Sequence, residues 1–423
     1  MLTNKKRVVI TGLSGICGLG HNKSDIWKNA LSGTSCIKKL DDRFVDDINF
    51  DYPINIASYV DNFKIDDEIL SPKEQDRFDT FIHYALHSAH HALIDSNLKI
   101  GEDVLPHKVG CILGVGMGGF PLTESTYRKF LQQSRARTSP FFIPSIIPNM
   151  ASGLVSIKLG LQGSNFSISS ACASSGHAIE MGVRQIQTGI QDAVLVGGAE
   201  AVLTKLTIAG FNSMKALSKR DVPAQKASCP FSADRDGFVI GEGAAILVIE
   251  SLDSARKRKA NILAEIVGCG SSADAHHITS PHPEGKGAIL AMKQALEESQ
   301  ISFNSVDYIN AHGTSTPLGD ISETNAIKSV FKDHAYKLNV SSTKSMTGHL
   351  LGSAAALESF FCVQSLVHQE IAPTINLEQA DPECDLNYTA NVSVKKEINF
   401  ALNNSFGFGG TNSSIIFKRF QGD

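Results

Sequence analysis

The sequence predicts an α/β protein whose sheets are covered by helices. Short β-branched segments alternate with longer segments in which apolar residues recur every three or four positions, and this alternation is typical of sheets with helices packed on their faces. The composition agrees, because hydrophobic residues make up 42% and charged residues 19% of the 423 residues. Coiled-coil, collagen-like and disordered chains are therefore excluded.

The predicted elements follow one another along nearly the whole chain. The strands are expected at residues 7–11, 109–113, 165–169, 193–196, 245–249, 264–268, 308–310, 338–341 and 413–417. The helices, recognised by their apolar spacing, are expected at residues 78–96, 176–188, 286–299, 322–331 and 350–368. Several of the strands end on small polar residues, which indicates that a loop begins there.

The length of 423 residues corresponds to two or three domains, or to one large domain built from two halves. A charged segment at residues 254–261 separates two blocks of alternating strands and helices. We therefore predict an N-terminal half over residues 1–255 and a C-terminal half over residues 256–423. Proline-containing segments near residues 40–80 and 120–150 interrupt the alternation, and we predict insertions that carry binding surface.

Charge, hydropathy and cysteine spacing exclude several classes of protein. Lys and Arg total 39 against 43 Asp and Glu, a formal charge of −4, so a nucleic-acid partner is not expected. No apolar run reaches the roughly 18 residues of a membrane span. The eight cysteines include no C-x-x-C pair, so we predict reduced thiols in the cytoplasm. The clustered histidines lack the Cys or carboxylate partners of a zinc site, and we predict no metal.

The segment 169–176 (SSACASSG) lies between a predicted strand and a predicted helix. Its Cys172 would stand at the N-terminus of the helix, where the helix dipole favours a thiolate and free N–H groups stabilise an oxyanion. We interpret Cys172 as a candidate nucleophile. A buried structural cysteine is the alternative interpretation.

The segment 310–320 (NAHGTSTPLGD) follows another predicted strand and contains His312. A histidine at the end of a strand points into the crevice in which open α/β sheets bind ligands. Because loop histidines are more often structural than catalytic, His312 alone proves little.

The segment 341–349 (SSTKSMTGH) carries Lys344 and His349 in one loop, and Glu358 lies in an apolar stretch of the next helix. A buried acid needs a partner, and Lys344 is a candidate, whereas a solvated position for Glu358 is the alternative. The segment 404–412 (NSFGFGGTN) has three glycines around two Phe rings. We interpret it as a loop that approaches a ligand closely and whose Phe side chain swings, with a simple turn between strands as the alternative.

Together, these four segments resemble the β-ketoacyl-acyl-carrier-protein synthases, which are condensing enzymes of the thiolase superfamily, and among them the type II elongating synthases. The resemblance covers nearly the whole chain. It implies a thiolase-like, five-layered α-β-α-β-α sandwich of two similar halves, and a homodimer. It also implies an acyltransferase of fatty-acid elongation that uses acyl carrier protein as its partner. No cofactor of its own is implied, because phosphopantetheine arrives on the carrier protein.

The resemblance further implies roles for individual residues. Cys172 takes the acyl chain, and His312 and His349 stabilise the enolate that malonyl carrier protein forms on losing CO2. Two histidines distinguish this set from the Cys-His-Asn set of the starter synthases, and the lack of a second catalytic Cys distinguishes it from thiolase. Lys344 has a structural or electrostatic role, supported by Glu358. The remaining implied residues are the supporting Asp320 and Phe408, with the Phe408 N–H in the oxyanion hole, and the substrate-binding Thr279, Thr314, Thr316, Met117 and Phe406.

An acidic carrier protein requires a basic docking patch. The candidates are Lys73, Arg77, Arg135, Arg137 and Lys215, although any one of them has an ordinary solvated side chain as its alternative interpretation.

Two other functions stay open at this point. A specialised ketosynthase of a polyketide, aryl polyene or other secondary lipid pathway would use the same chemistry on another acyl chain. A noncatalytic chain-length subunit is disfavoured, because such subunits typically lack the nucleophile.

Overall fold

The computed structural model describes residues 5–41, 54–132 and 137–422 of the chain. Arg135 and part of the first predicted insertion lie outside the described residues. The strands are β1 (Val8–Cys17), β2 (Ile37–Lys39), β3 (Ile56–Ser58), β4 (Val109–Gly114), β5 (Asn165–Ile168), β6 (Ala193–Glu200), β7 (Gly243–Ser251), β8 (Ala264–Ala273), β9 (Tyr308–Asn310), β10 (Asn339–Ser341), β11 (Glu370–Ile371), β12 (Val394–Lys395), β13 (Phe400–Gly407) and β14 (Thr411–Arg419).

Helix bounds follow from local sequence signals. The longest described helix begins after Asp79, whose side chain accepts a hydrogen bond from Phe81 N–H, and ends at Asn97 in the left-handed conformation. The helices are α1 (Lys23–Leu31), α2 (Pro72–Gln75), α3 (Thr80–Ser96), α4 (Phe120–Leu131), α5 (Phe142–Ile146), α6 (Met150–Leu159), α7 (Ser174–Gln187), α8 (Lys205–Ser213), α9 (Leu252–Lys257), α10 (Lys286–Ser299), α11 (Pro317–Phe331), α12 (Lys344–Thr347) and α13 (Ala354–His368).

The main sheet has ten strands, and its two halves repeat one pattern. The strand order is β10-β9-β13-β14-β8-β1-β7-β6-β4-β5. From each outer edge inward, two parallel pairings are followed by two antiparallel ones. A short antiparallel pairing, from Val8 opposite Ile266 to Ile10 opposite Ala264, joins the halves. The chain therefore consists of two similar halves, as the sequence predicts.

Helices fill three layers around these two half-sheets. Helices α3 and α6 pack on the outer face of the N-terminal half, and α10 packs on the outer face of the C-terminal half with α11 beside it. Helices α7 and α13 lie between the halves and contact strands of both. Successive side chains of one strand point to opposite faces of the sheet. In β4, Ile112 packs into the core between the two half-sheets, and Cys111 packs into the core under the outer helices. The architecture is the predicted five-layered α-β-α-β-α sandwich.

Several strands extend beyond their predicted bounds, among them β1, β6 and β8. Strand β1 continues through Gly12 to Cys17, six residues past the predicted end at residue 11. A Cβ at Gly12 would lie 2.2 Å from the backbone oxygen of Ala92 in α3, so the glycine lets a helix pack directly on the strand. The segment 404–412 is the end of β13, a short turn and the start of β14, so the alternative interpretation, a simple turn between strands, describes its backbone and the predicted loop is wrong.

The proposed division after residue 255 falls within α9, which connects β7 of the first half with β8 of the second. Within the described part of the chain, no helix combines the length and apolar character required to cross a bilayer.

Candidate active site

Cys172 stands in a tight turn between β5 and α7. The preceding Ala171 adopts a left-handed conformation with φ of 51°, an uncommon state for a residue with a side chain. Ser174 stabilises the turn, because its hydroxyl donates to the Ala171 carbonyl at 2.6 Å and accepts from Ser170 N–H at 2.8 Å. The local sequence thus holds a buried thiol just before the N-terminus of α7.

Two histidines from the C-terminal half meet this thiol. His349 Nε2 lies 3.0 Å from Cys172 Sγ, and the His312 and His349 rings are 5.4 Å apart at nearly a right angle. Cys172 Sγ and one ring nitrogen of each histidine all lie within 4.8 Å of one another. The structure therefore brings together, at one point, the three residues singled out in separate sequence segments.

Lys344 and Glu358 lie beside this group as a buried ion pair between Nζ and Oε1. Lys344 begins α12, and Glu358 lies in the central helix α13. The pairing predicted from the sequence is present, and the solvated alternative for Glu358 is wrong. A cation and an acid are thereby held at fixed positions next to two imidazoles.

Burial is the largest cause of the pKa shifts of the two histidines and the cysteine in this site. It lowers the pKa of His312 and of His349 well below the usual value, and the charge of Lys344 adds to the effect. Both imidazoles are therefore neutral at pH 7. Burial also raises the pKa of Cys172 to about 12, although Lys344 and the Phe408 N–H oppose the shift. The thiol is therefore protonated at pH 7, and the expectation that the helix dipole favours a thiolate is not met.

A cavity of about 630 Å³ opens onto the thiol. Both halves of the chain contribute to its wall, and apolar surface exceeds polar surface. All five predicted substrate-binding residues line it, namely Met117, Thr279, Thr314, Thr316 and Phe406, together with Phe408 and Lys215. The Thr314 and Thr316 hydroxyls lie 3.0 Å apart. The cavity therefore has an apolar interior and polar groups at defined points, as ligand sites commonly do.

The β13–β14 hairpin closes one side of the cavity. Phe406 lies within β13 and its ring packs against His312 with centroids 5.7 Å apart. Phe408 lies in the turn, and its backbone N–H faces the Cys172 thiol. A Cβ at Gly407 would lie 3.0 Å from Cys172 N. The hairpin thus presents a backbone donor directly at the thiol.

Asp320 does not line the cavity. It accepts a hydrogen bond from Phe231 N–H at 2.8 Å and pairs with Arg235 at 3.4 Å. Asp320 therefore connects α11 to the segment 231–235 and has a structural role outside the cavity. The acid that contacts the histidine loop is Glu323, one turn later on α11, which accepts from His312 N–H at 2.9 Å and Gly313 N–H at 2.7 Å. The sequence analysis did not single out Glu323, because nothing in the local sequence distinguishes it from Asp320 as the acid that faces the histidine loop.

A second acid that the sequence analysis missed is Glu200, the last residue of β6. It is fully buried and lines the cavity. No motif marks it, because its neighbours are ordinary strand residues.

The predicted docking residues occupy different settings. Lys73 and Arg137 are exposed, and Lys215 is exposed at the wall of the cavity. The Arg77 guanidinium lies 4.3 Å from the centre of the Phe141 ring.

Comparison with known proteins places this architecture and site in one family. The N-terminal domain of β-ketoacyl synthases matches residues 5–255, and the C-terminal domain of β-ketoacyl synthases matches residues 263–378. The chain belongs to the β-ketoacyl synthase family.

Individual relatives match over their full length. The chain is 44% identical to 3-oxoacyl-(acyl-carrier-protein) synthase 2 of Staphylococcus aureus strain COL, covering 99% of this chain and 100% of the relative. It is 47% identical to the protein of the same name from Coxiella burnetii, covering 98% and 99%.

Solved structures also match throughout. A β-ketoacyl synthase from Burkholderia phymatum has a TM-score of 0.90 at 32% identity, covering 98% of this chain and 100% of that one. A ketosynthase solved in complex with its acyl-carrier protein, from a type II polyketide synthase, has a TM-score of 0.89 at 32% identity, covering 99% and 100%.

Proposed function

We propose that this protein is a β-ketoacyl-acyl-carrier-protein synthase that elongates fatty acyl chains with malonyl carrier protein. The observation that carries the proposal is the meeting of Cys172, His312 and His349, with Cys172 Sγ 3.0 Å from His349 Nε2. The names of the full-length relatives support the same activity.

In the first half-reaction, Cys172 takes the acyl group from the carrier protein. The thiol gives up its proton as its sulfur attacks the thioester carbonyl, and His349 Nε2 is placed to relay that proton to the departing pantetheine thiol. The backbone N–H of Phe408, which faces the sulfur, stabilises the oxyanion together with the N–H of Cys172. One thioester replaces another, so the acyl chain stays activated.

In the second half-reaction, malonyl carrier protein loses CO2 and its thioester becomes an enolate. The electron pair of the broken C–C bond remains on the α-carbon and is delocalised onto the thioester oxygen. Neutral His312 and His349 each donate one N–H to that oxygen, and their lowered pKa keeps them neutral. The carbanion then attacks the carbonyl carbon of acyl-Cys172, the C–S bond breaks, and the released cysteine thiolate takes up a proton from solvent.

In both steps the substrate is attached to the phosphopantetheine arm of the carrier protein. Thr314 and Thr316 lie on the cavity wall where a phosphopantetheine amide would pass, and their hydroxyls both donate and accept. The proposed reaction calls for no resident cofactor or metal, because the thioester arrives already activated.

A specialised ketosynthase is the second candidate. Polyketide and chain-length-factor complexes are among the similar structures, at 29–32% identity. Fatty-acid elongation is preferred because the relatives of that activity reach 44–47% over the full chain. A noncatalytic subunit is disfavoured by the complete Cys-His-His group.

We also propose a homodimer, with a second copy on the outer edge of the N-terminal half. Strand β5 has a neighbour on one side only, and unpaired strand edges are commonly covered. Helix α4 buries none of its described residues and exposes Tyr127, Phe130 and Leu131, an apolar surface that a partner would cover. Light scattering of the purified protein tests this assembly.

A cytoplasmic location is proposed as well, because the nucleophile must stay reduced and all eight cysteines are free.

The activity is tested by incubating the protein with acyl and malonyl carrier proteins of fatty-acid synthesis. We expect a β-ketoacyl carrier protein two carbons longer than the acyl donor, and release of CO2. Turnover with a polyketide carrier protein alone would favour the second candidate, and a lack of product with either would contradict both.

A further inference from the structure

Glu200 makes an unusual set of contacts at the inner wall of the cavity. Its Oε2 accepts hydrogen bonds from Gly116 N–H at 2.8 Å and from Gly352 N–H at 3.0 Å, while Oε1 accepts from Met117 N–H at 3.1 Å. Among the described residues its hydrogen-bond partners are backbone groups only. The carboxylate therefore joins the loop after β4 to the turn that follows His349.

The surrounding backbone leaves room for this carboxylate and little else. A Cβ at Gly116 or at Gly352 would lie 2.5 Å from Glu200 Oε2. The neighbouring Leu351 is held in the left-handed conformation with φ of 49°, which is unfavourable for a leucine. Both segments are thus drawn together around one side chain.

Glu200 is also costly to bury. It is 0% exposed, and burial raises its pKa to about 7 although the three N–H groups act in the opposite direction. A buried acid with no cation as partner is uncommon. Its position is therefore better explained by what it holds than by a contribution to the stability of the core.

We propose that Glu200 is a positioning residue that sets the acyl-chain length by fixing Met117 as a wall of the cavity. The inference rests on the proposed function and deepens it. Met117 and Leu351 both line the cavity that contains Cys172. The Met117 N–H donates to Glu200, and Leu351 directly precedes Gly352, whose N–H also donates to Glu200. The three hydrogen bonds to Glu200, here called the Glu200 clamp, hold the backbone of Met117 in place. A longer chain must then be accommodated by rotation of the Met117 side chain alone, because a shift of the backbone would break the bond from its N–H, so the intact clamp disfavours longer chains.

Glu200→Gln separates the two parts of the clamp. The amide oxygen keeps the bonds of Gly116 and Gly352, whereas the amide NH2 group faces the N–H of Met117, and two donors do not bond. We expect the ratio of long-chain to short-chain acylation of Cys172 to rise about tenfold, the ratio that corresponds to 1.4 kcal/mol. Met117→Ala is expected to shift the ratio in the same direction, and the two changes should not add.

The measurement is competition between acyl carrier proteins of different length, read by mass spectrometry of the Cys172 adduct. Glu250→Gln is the matched control, because Glu250 is equally buried but pairs with Arg258. It should lower the melting temperature and leave the ratio unchanged. An unchanged ratio in Glu200→Gln, or an equal shift in Glu250→Gln, would overturn the inference. Failure of the parent protein to acylate with any chain would instead refute the proposed function.

Discussion

Lys344 Nζ and Glu358 Oε1 form an ion pair in the interior, with the two side chains only 2% and 4% exposed. The pair lies beside both catalytic imidazoles, and the charge of Lys344 lowers the pKa of His312 and of His349. It therefore adds to the effect of burial, which is the larger cause, in keeping neutral the two imidazoles that we propose for the decarboxylation step.

Lys344→Met should move the acidic limb of the decarboxylation rate to higher pH. Without the cation, protonation of His312 and His349 is less unfavourable, so their pKa values rise and the neutral forms are lost at a higher pH. Breaking a buried pair should also lower the free energy of unfolding by about 3–5 kcal/mol. Release of CO2 from malonyl carrier protein, measured against pH, checks the shift.

Lys396→Met is the matched control. Lys396 is a half-buried lysine that donates to Asn339 Oδ1 at 3.0 Å and does not line the cavity. An identical pH profile in Lys344→Met and the parent protein would contradict the electrostatic role.

His312→Ala and His349→Ala should each reduce malonyl decarboxylation by about 10²–10³, because each removes one donor to the developing enolate oxygen. His349→Ala should also slow acylation of Cys172, since of the two histidines His349 is the one within hydrogen-bond reach of the thiol. His83→Gln, which changes a half-buried histidine on α3, should leave both rates unchanged. A variant with near-parental decarboxylation would remove that histidine from its proposed role.

Gly407→Ala should slow acylation of Cys172 by about 10²-fold. The added methyl would lie 3.0 Å from Cys172 N and 2.8 Å from Thr411 Oγ1, so the hairpin must move away from the nucleophile, and small displacements of reacting groups are costly. Stopped-flow measurement of acyl transfer checks the rate. Gly210→Ala on α8 adds a methyl with nothing within 4 Å, and equal slowing there would argue against a specific contact.

The paired changes Lys73→Glu and Arg137→Glu should raise KM for acyl carrier protein about fivefold, because they reverse charge on an exposed surface that an acidic partner approaches. Activity on small pantetheine thioesters should not change. The pair Lys257→Glu and Lys259→Glu, at two exposed positions at and just after the end of α9, controls for the same change in net charge. If both kinds of substrate are affected alike, the changes act on folding rather than on docking.

Much of the fold and of the site could be predicted from the sequence, because both are encoded locally. The turn at Cys172 is a short run of small residues between a strand and a helix, and His312 and His349 each follow a strand. These features depend on neighbours in the chain, so spacing and residue type reveal them. The extension of β1 was hidden because Gly12 ends an apolar run in the sequence while serving helix packing in the structure.

The two acids that the sequence did not indicate act over long distances in the chain. Glu200 accepts a hydrogen bond from the Gly352 N–H, 152 residues away in the chain. The residues next to Glu200 in the sequence do not show which partner its carboxylate contacts. Glu323 faces the histidine loop whereas Asp320, on the same helix, faces Arg235. Only the packing of α11 determines which acid meets the active site. The raised pKa of the Cys172 thiol likewise follows from burial, and the neighbouring residues in the sequence do not show how deeply a side chain is buried.

The central claim is that Cys172 carries the acyl chain and transfers it to malonyl carrier protein. The most direct test is mass spectrometry of the protein after incubation with acyl carrier proteins from short to long chain length, followed by addition of malonyl carrier protein. We expect one acyl group on the peptide containing Cys172, its discharge when malonyl carrier protein is added, and neither event in Cys172→Ala. An acyl group on another residue, or elongation that persists in Cys172→Ala, would contradict the account.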